Sequence, residues 1–298
     1  MALPGTSYSP SAAGCRGRVP AIESYRTAAR FRIRFRYSDS GTRDGPPYRV
    51  SGYYAPHDVN ISTYWSPFLV RSEGHSEDYS MKQQTVILDA ITEPWTADLD
   101  AIDVMVISAG HWFLRPAVYY ERGVIAGVWA RPDVNKTDID GAYFGVYRTV
   151  TRRVLEYVNA KSTRDKLVVV ATIAPAHTDS KYGGNHRDAC SRPKPYEEGE
   201  AEVGGVEARL RKAVVEETAA ASAQRRRWGL RFEVLDVTRL ASMRPDGHPG
   251  PFFFEHAYAG REVPETAPND CLHWCAPGPV DTFNDILMQM VAAIGHAM

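Results

Sequence analysis

Three short apolar runs with long amphipathic stretches between them constrain this chain more than any other feature. Ala101–Ser108 reads A-I-D-V-M-V-I-S, Leu167–Ile173 reads L-V-V-V-A-T-I, and Phe232–Val237 reads F-E-V-L-D-V. Each is about a strand long and nearly continuously apolar, the pattern of a strand buried on both faces. Between the first two, Asp140–Ala160 places Tyr143, Val146, Tyr147, Val150, Val154 and Tyr157 on one helical face. Between the second and third, Gly205–Trp228 predicts a helix with a dense charged face. Its terminal Arg225, Arg226 and Arg227 suit the negative end of a helix dipole better than they suit a polyanion site. Thr282–Ile294 predicts a closing amphipathic helix. Strand, helix, strand, helix, strand implies parallel pairing through right-handed crossovers, hence an α/β fold. Sites in such sheets lie beyond the carboxyl ends of the strands. That rule gathers Gly110–Trp112, Pro175–His177, the loop after Val237 and a loop at residues 270–273 on one rim.

Upstream, Arg30–Tyr37 alternates strictly, with Phe31, Ile33, Phe35 and Tyr37 on one face of a half-buried strand that ends at the turn Ser38–Gly41. Tyr53–Pro56 and Asn60–Val70 predict an extended pair, and Thr85–Ala90 a short strand. Residues 1–29 are read as an aberrant or disordered leader, Gly-, Pro-, Ala- and Ser-rich over residues 1–22; residues 30–298 are read as a single α/β domain.

A net charge of −1 over 298 residues gives no sign of a nucleic-acid partner, and no apolar run is long enough to cross a bilayer. Of four cysteines, Cys190, Cys271 and Cys275 sit in loop-like sequence. They are disulfide candidates, with Cys190 able to bridge to either of the other two. The C-x-x-x-C spacing around one histidine is a poor match to structural zinc patterns, so no metal is expected. Two glycosylation sequons, at Asn60 and Asn135, together with loop cysteines favour a secretory-pathway lumen.

The chemistry-bearing stretch is Pro268–Gly278, P-N-D-C-L-H-W-C-A-P-G. Asp270 and His273 stand three residues apart. A carboxylate can fix the tautomer of an imidazole and stabilise its cation, so that the ring takes a proton from a hydroxyl nucleophile. An isolated Asp-x-x-His is more often a capped helix start. Here the neighbours decide otherwise.

The segment resembles the C-terminal signature of the plant trichome-birefringence-like (TBL) family, PC-esterase relatives that O-acetylate wall polysaccharides. In that family a D-C-x-H-W-C-x-P-G block precedes a D-T-[WF]-N helix, and Asp281, Thr282, Phe283 and Asn284 follow here. W-S-P-F-L-V at Trp65–Val70, I-S-A-G-H-W-F-L-R-P at Ile107–Pro116, R-P-D-G-H-P at Arg244–Pro249 and the loop from Gly183 to Glu200 fit the same pattern. The likeness runs from about Tyr53 to the C-terminus. It implies a three-layer α/β/α sandwich of the SGNH-hydrolase type. It also implies a Ser-His-Asp acyl-enzyme mechanism, with Asp270 and His273 catalytic, and acetyl transfer to hydroxyls of xylan or xyloglucan in the Golgi lumen. The acetyl donor, acetyl-CoA or another acetyl carrier, would be a co-substrate, and no cofactor would stay bound. Gly110, His111, Trp112 and Trp274 are the substrate-binding candidates, the tryptophans as stacking platforms for a sugar ring. Arg115 reads as a loop-holding residue, and Asp246 and His248 as parts of a rigid turn beneath the site.

The family's nucleophile is the serine of a Gly-Asp-Ser motif, and its full-length members carry an N-terminal membrane anchor. Neither is recognisable here; a shortened gene model would account for both absences. The paired cysteines many relatives carry near Val128–Arg131 are absent as well. Ser38 and Ser40, in S-D-S at a strand-to-turn position, are the near-substitutes, with Ser40 the better of the two. Two other readings share the sequence: an acetylesterase of the same fold, and a non-catalytic glycan-binding or scaffolding relative.

Overall fold

The computed structural model describes residues 34–37, 49–76, 80–134, 143–178, 190, 192, 194–252 and 270–295. The described residues divide into two compact units, one from 34 to 173 with 204 to 236, the other from 174 to 203 with 237 to 295.

In the larger unit, β1 (Arg34–Tyr37), β2 (Arg49–Tyr54) and β3 (Val59–Tyr64) form an antiparallel sheet in that order. The strand expected over Asn60–Val70 stops at Tyr64. Pro67 has no amide to donate, Leu69 is left-handed at φ 60°, and its N–H turns back to the Ser66 carbonyl at 3.1 Å. W-S-P-F-L-V is therefore a tight turn, and it delivers Phe68 and Val70, both fully buried, to the core.

A mixed sheet follows, ordered β4 (Ser72–Gly74), β5 (Gln84–Ile87), β7 (Ala117–Glu121) and β8 (Val124–Trp129). The β7–β8 hairpin was not expected from the sequence. Its two-residue turn, Arg122-Gly123, has φ of 50° and 76°, the doubly positive geometry that matches strand twist and favours glycine at its second position. Trp129 at its end donates from Nε1 to the Leu114 carbonyl at 3.1 Å and packs edge-on against Tyr143.

The three apolar runs form one sheet, ordered β10 (Leu230–Leu235), β9 (Lys166–Ala171) and β6 (Val104–Ile107), with parallel pairing throughout, as their alternation with helices requires. Val104 pairs with Leu167, and Leu230 with Lys166. β9, the middle strand, is buried along its whole length. β6 is not, which corrects the expectation for Ala101–Ser108: Met105 and Ile107 are buried, whereas Val104 and Val106 are 40% and 44% exposed. Alternate residues of a strand face opposite sides of the sheet, so the Met105 and Ile107 face lies on the core while the Val104 and Val106 face stays accessible. The strand also begins late, because Leu99–Ala101 forms a 3-10 turn.

Helices α1 (Tyr143–Lys161) and α2 (Gly205–Ala223) pack on each other and share a core with Met105, Ile107, Val168, Val170, Leu230 and Phe232. The helical stripe expected for α1 holds: Tyr143, Val146, Tyr147, Val150 and Val154 are buried, and Tyr157 packs half-buried against Trp95. Across the pair, Arg148 binds Glu217 at 2.6 Å and Glu216 at 2.9 Å. α2 ends at Ala223, before the three arginines. Asn159 of α1 explains the stop, since its amide bonds the Gln224 carbonyl and the Arg226 N–H, each at 2.9 Å. Arg225 reaches back to the Ser222 carbonyl at 3.0 Å, so it satisfies a helix-end acceptor as expected.

In the smaller unit, α3 (Thr238–Ser242) leads into the Arg244–Pro249 turn, and α4 (Pro279–Gly295) follows the Asp270–Gly278 loop. Val280, Phe283, Ile286, Leu287, Met290 and Val291 of α4 are half-buried at helical spacing, the amphipathic pattern predicted for Thr282–Ile294. No helix among the described residues is long and apolar enough to cross a membrane.

Candidate active site

Asp270 is the centre of the loop that carries the acid–base pair. Its backbone is tied on both sides to Gly250: Asp270 N–H donates to the Gly250 carbonyl at 2.8 Å, and Gly250 N–H to the Asp270 carbonyl at 3.0 Å. One carboxylate oxygen, Oδ1, accepts the backbone N–H groups of Leu272 at 3.0 Å and His273 at 2.9 Å. The other, Oδ2, lies 2.7 Å from His273 Nδ1. Short polar side chains that accept the amides two and three residues on close such loops efficiently. The same turn swings the imidazole of residue 273 onto the second oxygen, which is why the spacing D-x-x-H works.

An ionised carboxylate only accepts, so His273 Nδ1 carries the hydrogen and Nε2 carries the lone pair of the neutral ring. Burial alone would raise the Asp270 carboxyl. The two backbone amides, the imidazole N–H and the attraction of the imidazolium outweigh that and hold it below its ordinary value. The acid is mostly buried, with 17% of its side chain exposed, whereas the imidazole is 62% exposed. A buried carboxylate behind an accessible imidazole is the polarity a general base needs.

Four further ties fix the loop. Cys271 is bonded to Cys190, 81 residues away, which settles the choice the sequence left open. Cys275 is disulfide-bonded as well. Cys275 N–H donates to the Gly247 carbonyl, and His177 N–H to the Cys271 carbonyl, both at 2.9 Å. Trp274 lies against His248, ring centres 4.1 Å apart, and edge-on to Phe283 at 6.1 Å. Gly247 leaves room for this packing; a Cβ there would come within 2.4 Å of Pro279 and 2.9 Å of the Trp274 ring. The Arg244–Pro249 segment is a rigid turn as expected, with Arg244 gripping Asp246 through two bonds of 2.8 and 3.0 Å.

The other candidates of the chain fall in the larger unit or outside the described residues. Gly110 has φ 154°, and a side chain there would press on Ile173 at 3.2 Å, so glycine is required at the end of β6. His111 and Trp112 lie in the 3-10 turn His111–Leu114. Trp112 is half-buried among Trp65, Phe68 and His75, with the Arg115 guanidinium 5.9 Å over its ring. Asn60 is exposed on β3. Asn135, Ser38 and Ser40 lie outside the described residues. Among the described residues no group of three or more His, Cys, Asp or Glu side chains is arranged to hold a metal. The sequence did not reveal that His177, in the loop after β9, and His248, in the turn after α3, meet.

A carboxylate-fixed imidazole on a disulfide-tied loop is the acid–base part that serine-type acyl hydrolases use. A family model for the PC-esterases, the GDSL/SGNH-like acyl-esterase family found in Pmr5 and Cas1p, matches residues 38–290. Xyloglucan O-acetyltransferase 1 of Populus trichocarpa is 40% identical over 245 residues, covering 80% of this chain and 55% of the relative. Xyloglucan O-acetyltransferase 1 of Arabidopsis thaliana is 40% identical over 238 residues, covering 80% and 53%. Protein trichome birefringence-like 26 of Arabidopsis thaliana is 32% identical over 237 residues, covering 79% and 52%. The chain belongs to the PC-esterase family and, within it, to the trichome-birefringence-like proteins. It spans about half the length of the curated relatives it matches.

Proposed function

We propose that this chain carries the acid–base half of a polysaccharide O-acetyltransferase whose acceptor is xyloglucan. The observation that carries the reading is the 2.7 Å contact between Asp270 Oδ2 and His273 Nδ1, in a chain 40% identical to proteins named for xyloglucan O-acetylation. In this reading His273 Nε2 takes the proton of a serine hydroxyl as its oxygen attacks the acetyl carbonyl of the donor. The donor's leaving group departs with that proton, and an acetyl-serine ester remains. A sugar hydroxyl then attacks the ester, gives its proton to the same nitrogen, and leaves as the acetylated glycan while the serine recovers its hydrogen. Asp270 stays ionised throughout and steadies each imidazolium. No nucleophile is assigned among the described residues; Ser40 is the residue of this chain to be tested. The exposed sequon at Asn60 and the disulfides support a lumenal compartment of the secretory pathway, which the reading takes to be the Golgi.

The test is acetyl transfer to deacetylated xyloglucan oligosaccharides, read by mass spectrometry with a soluble acetyl donor. One added acetyl group per acceptor, absent with His273→Ala, is the expected result. Loss of acetyl groups from an acetylated oligosaccharide, without transfer, would make the protein an esterase. Retention of the glycan without either reaction would make it a binding relative.

A further inference from the structure

Behind the catalytic loop, His177 and His248 are buried in contact, 0% and 3% exposed. Their facing nitrogens, His177 Nδ1 and His248 Nε2, are 2.7 Å apart. The outer nitrogen of each ring meets a backbone carbonyl: His177 Nε2 lies 3.1 Å from the Ser242 oxygen, and His248 Nδ1 lies 2.7 Å from the His273 oxygen. A carbonyl oxygen accepts and never donates, so both outer nitrogens carry hydrogen. A nitrogen–nitrogen contact this short holds one proton, because two lone pairs repel and two N–H groups collide. The three contacts together require three ring protons, one more than two neutral imidazoles possess.

We propose that His177 and His248 form a buried imidazole–imidazolium couple that shares one proton and one positive charge, and that it positions the backbone of His273. The surroundings suit such a charge. The Trp274 ring lies 4.1 Å from His248, centre to centre, and 5.9 Å from His177, and an indole face attracts a cation. Tyr196 stands 6.5 Å from His177, and Ser242 of α3 offers its carbonyl. On the turn that carries His248, the charges of Arg244 and Asp246 are spent on each other. On the loop opposite, Asp270 is engaged with His273. Both ends of the couple also border the loop's other ties, since His177 N–H holds the Cys271 carbonyl and the neighbouring Gly247 carbonyl holds Cys275 N–H. Held this way, the His273 carbonyl cannot rotate, and the ring that hangs from the same residue keeps its place against Asp270. The positioning role rests on the proposed acid–base reading; the proton count does not.

Nuclear magnetic resonance of the full chain with nitrogen-15-labelled histidine tests both parts. At neutral pH the expected spectrum has one strongly deshielded proton correlated with His177 Nδ1 and His248 Nε2, and a hydrogen on each outer nitrogen. His248→Asn, whose amide can still donate to the His273 carbonyl, and His177→Gln should both lose the shared resonance. In both variants the His273 Nδ1 hydrogen should exchange with solvent about tenfold faster, because the group that donates to the His273 carbonyl has lost the buried partner that fixed it. Two singly protonated, neutral rings in the folded wild-type protein would overturn the couple. Unchanged exchange at His273 in both variants would overturn its positioning role. The shared proton in a protein that transfers no acetyl group supports the couple and counts only against the functional reading.

Discussion

Cys190 and Cys271 are covalently joined across 81 residues of sequence, and Cys271 is the residue that follows the candidate catalytic acid Asp270. The bond therefore anchors the acid–base loop beside its acid. Closing a loop of that length removes chain entropy worth about 4–5 kcal/mol from the unfolded state.

Replacing both cysteines with serine should lower the unfolding free energy by roughly that 4–5 kcal/mol, less whatever the unfolded chain retains as structure. Guanidinium denaturation of wild type and the double variant measures it. A difference below about 1 kcal/mol would mean that the bond merely decorates a loop already fixed by its hydrogen bonds.

Asp270→Asn keeps the size of the side chain and an acceptor for the Leu272 and His273 amides. It puts an N–H group where Oδ2 now meets the imidazole, so the neutral ring must move its hydrogen to Nε2 and can no longer accept there. Under the proposed function the acetyl-transfer rate should fall by about four orders of magnitude with the fold intact, the loss seen when the acid of a serine-type triad is replaced by its amide. Circular dichroism with turnover measurement separates this outcome from unfolding.

Acid should undo the same contact. The Asp270 carboxyl is held below its ordinary value in the folded chain, because three hydrogen bonds overcome the opposing effect of burial. The unfolded chain therefore binds the proton more readily, and the contribution to stability is complete above the ordinary carboxylate value of about 4. It is lost as pH falls through the lowered folded value. Stability measured from pH 6 downwards should drop less steeply in Asp270→Asn than in wild type.

Gly247→Ala should destabilise the smaller unit by about 1–3 kcal/mol, the usual cost of forcing a methyl into a packed site. Its Cβ would meet Pro279 at 2.4 Å and the Trp274 ring at 2.9 Å, so α4 or the indole has to shift. A thermal melt reads the loss, and an unchanged midpoint would contradict the packing described.

Much of the parallel sheet is legible in the sequence because its signals are local. The runs around Val104–Ile107, Lys166–Ala171 and Leu230–Leu235 are apolar, and α1 shows its stripe from Tyr143 onwards. Where the reading failed, a specific residue overrode a general pattern. Pro67 and Leu69 turned an apolar run away from the strand, and Asn159, distant in sequence, set the end of α2. The β7–β8 hairpin turns at Arg122-Gly123, a local glycine signal with no alternating apolar pattern on either side to mark the strands. In the site, the pairing of Asp270 with His273 follows from a three-residue spacing. The choice of Cys271 over Cys275 as the partner of Cys190, and the meeting of His177 with His248, are products of tertiary folding. Spacings of 81 and 71 residues carry no local signal for either.

In the proposed function His273, oriented by Asp270, serves as base to a serine. Trapping the folded protein with a serine-directed fluorophosphonate, then mapping the labelled peptide, tests it most directly. One labelled serine is expected, with Ser40 the residue of this chain to check first, and no label in His273→Ala. Labelling that persists in folded His273→Ala, or no labelling of folded wild type, would contradict it.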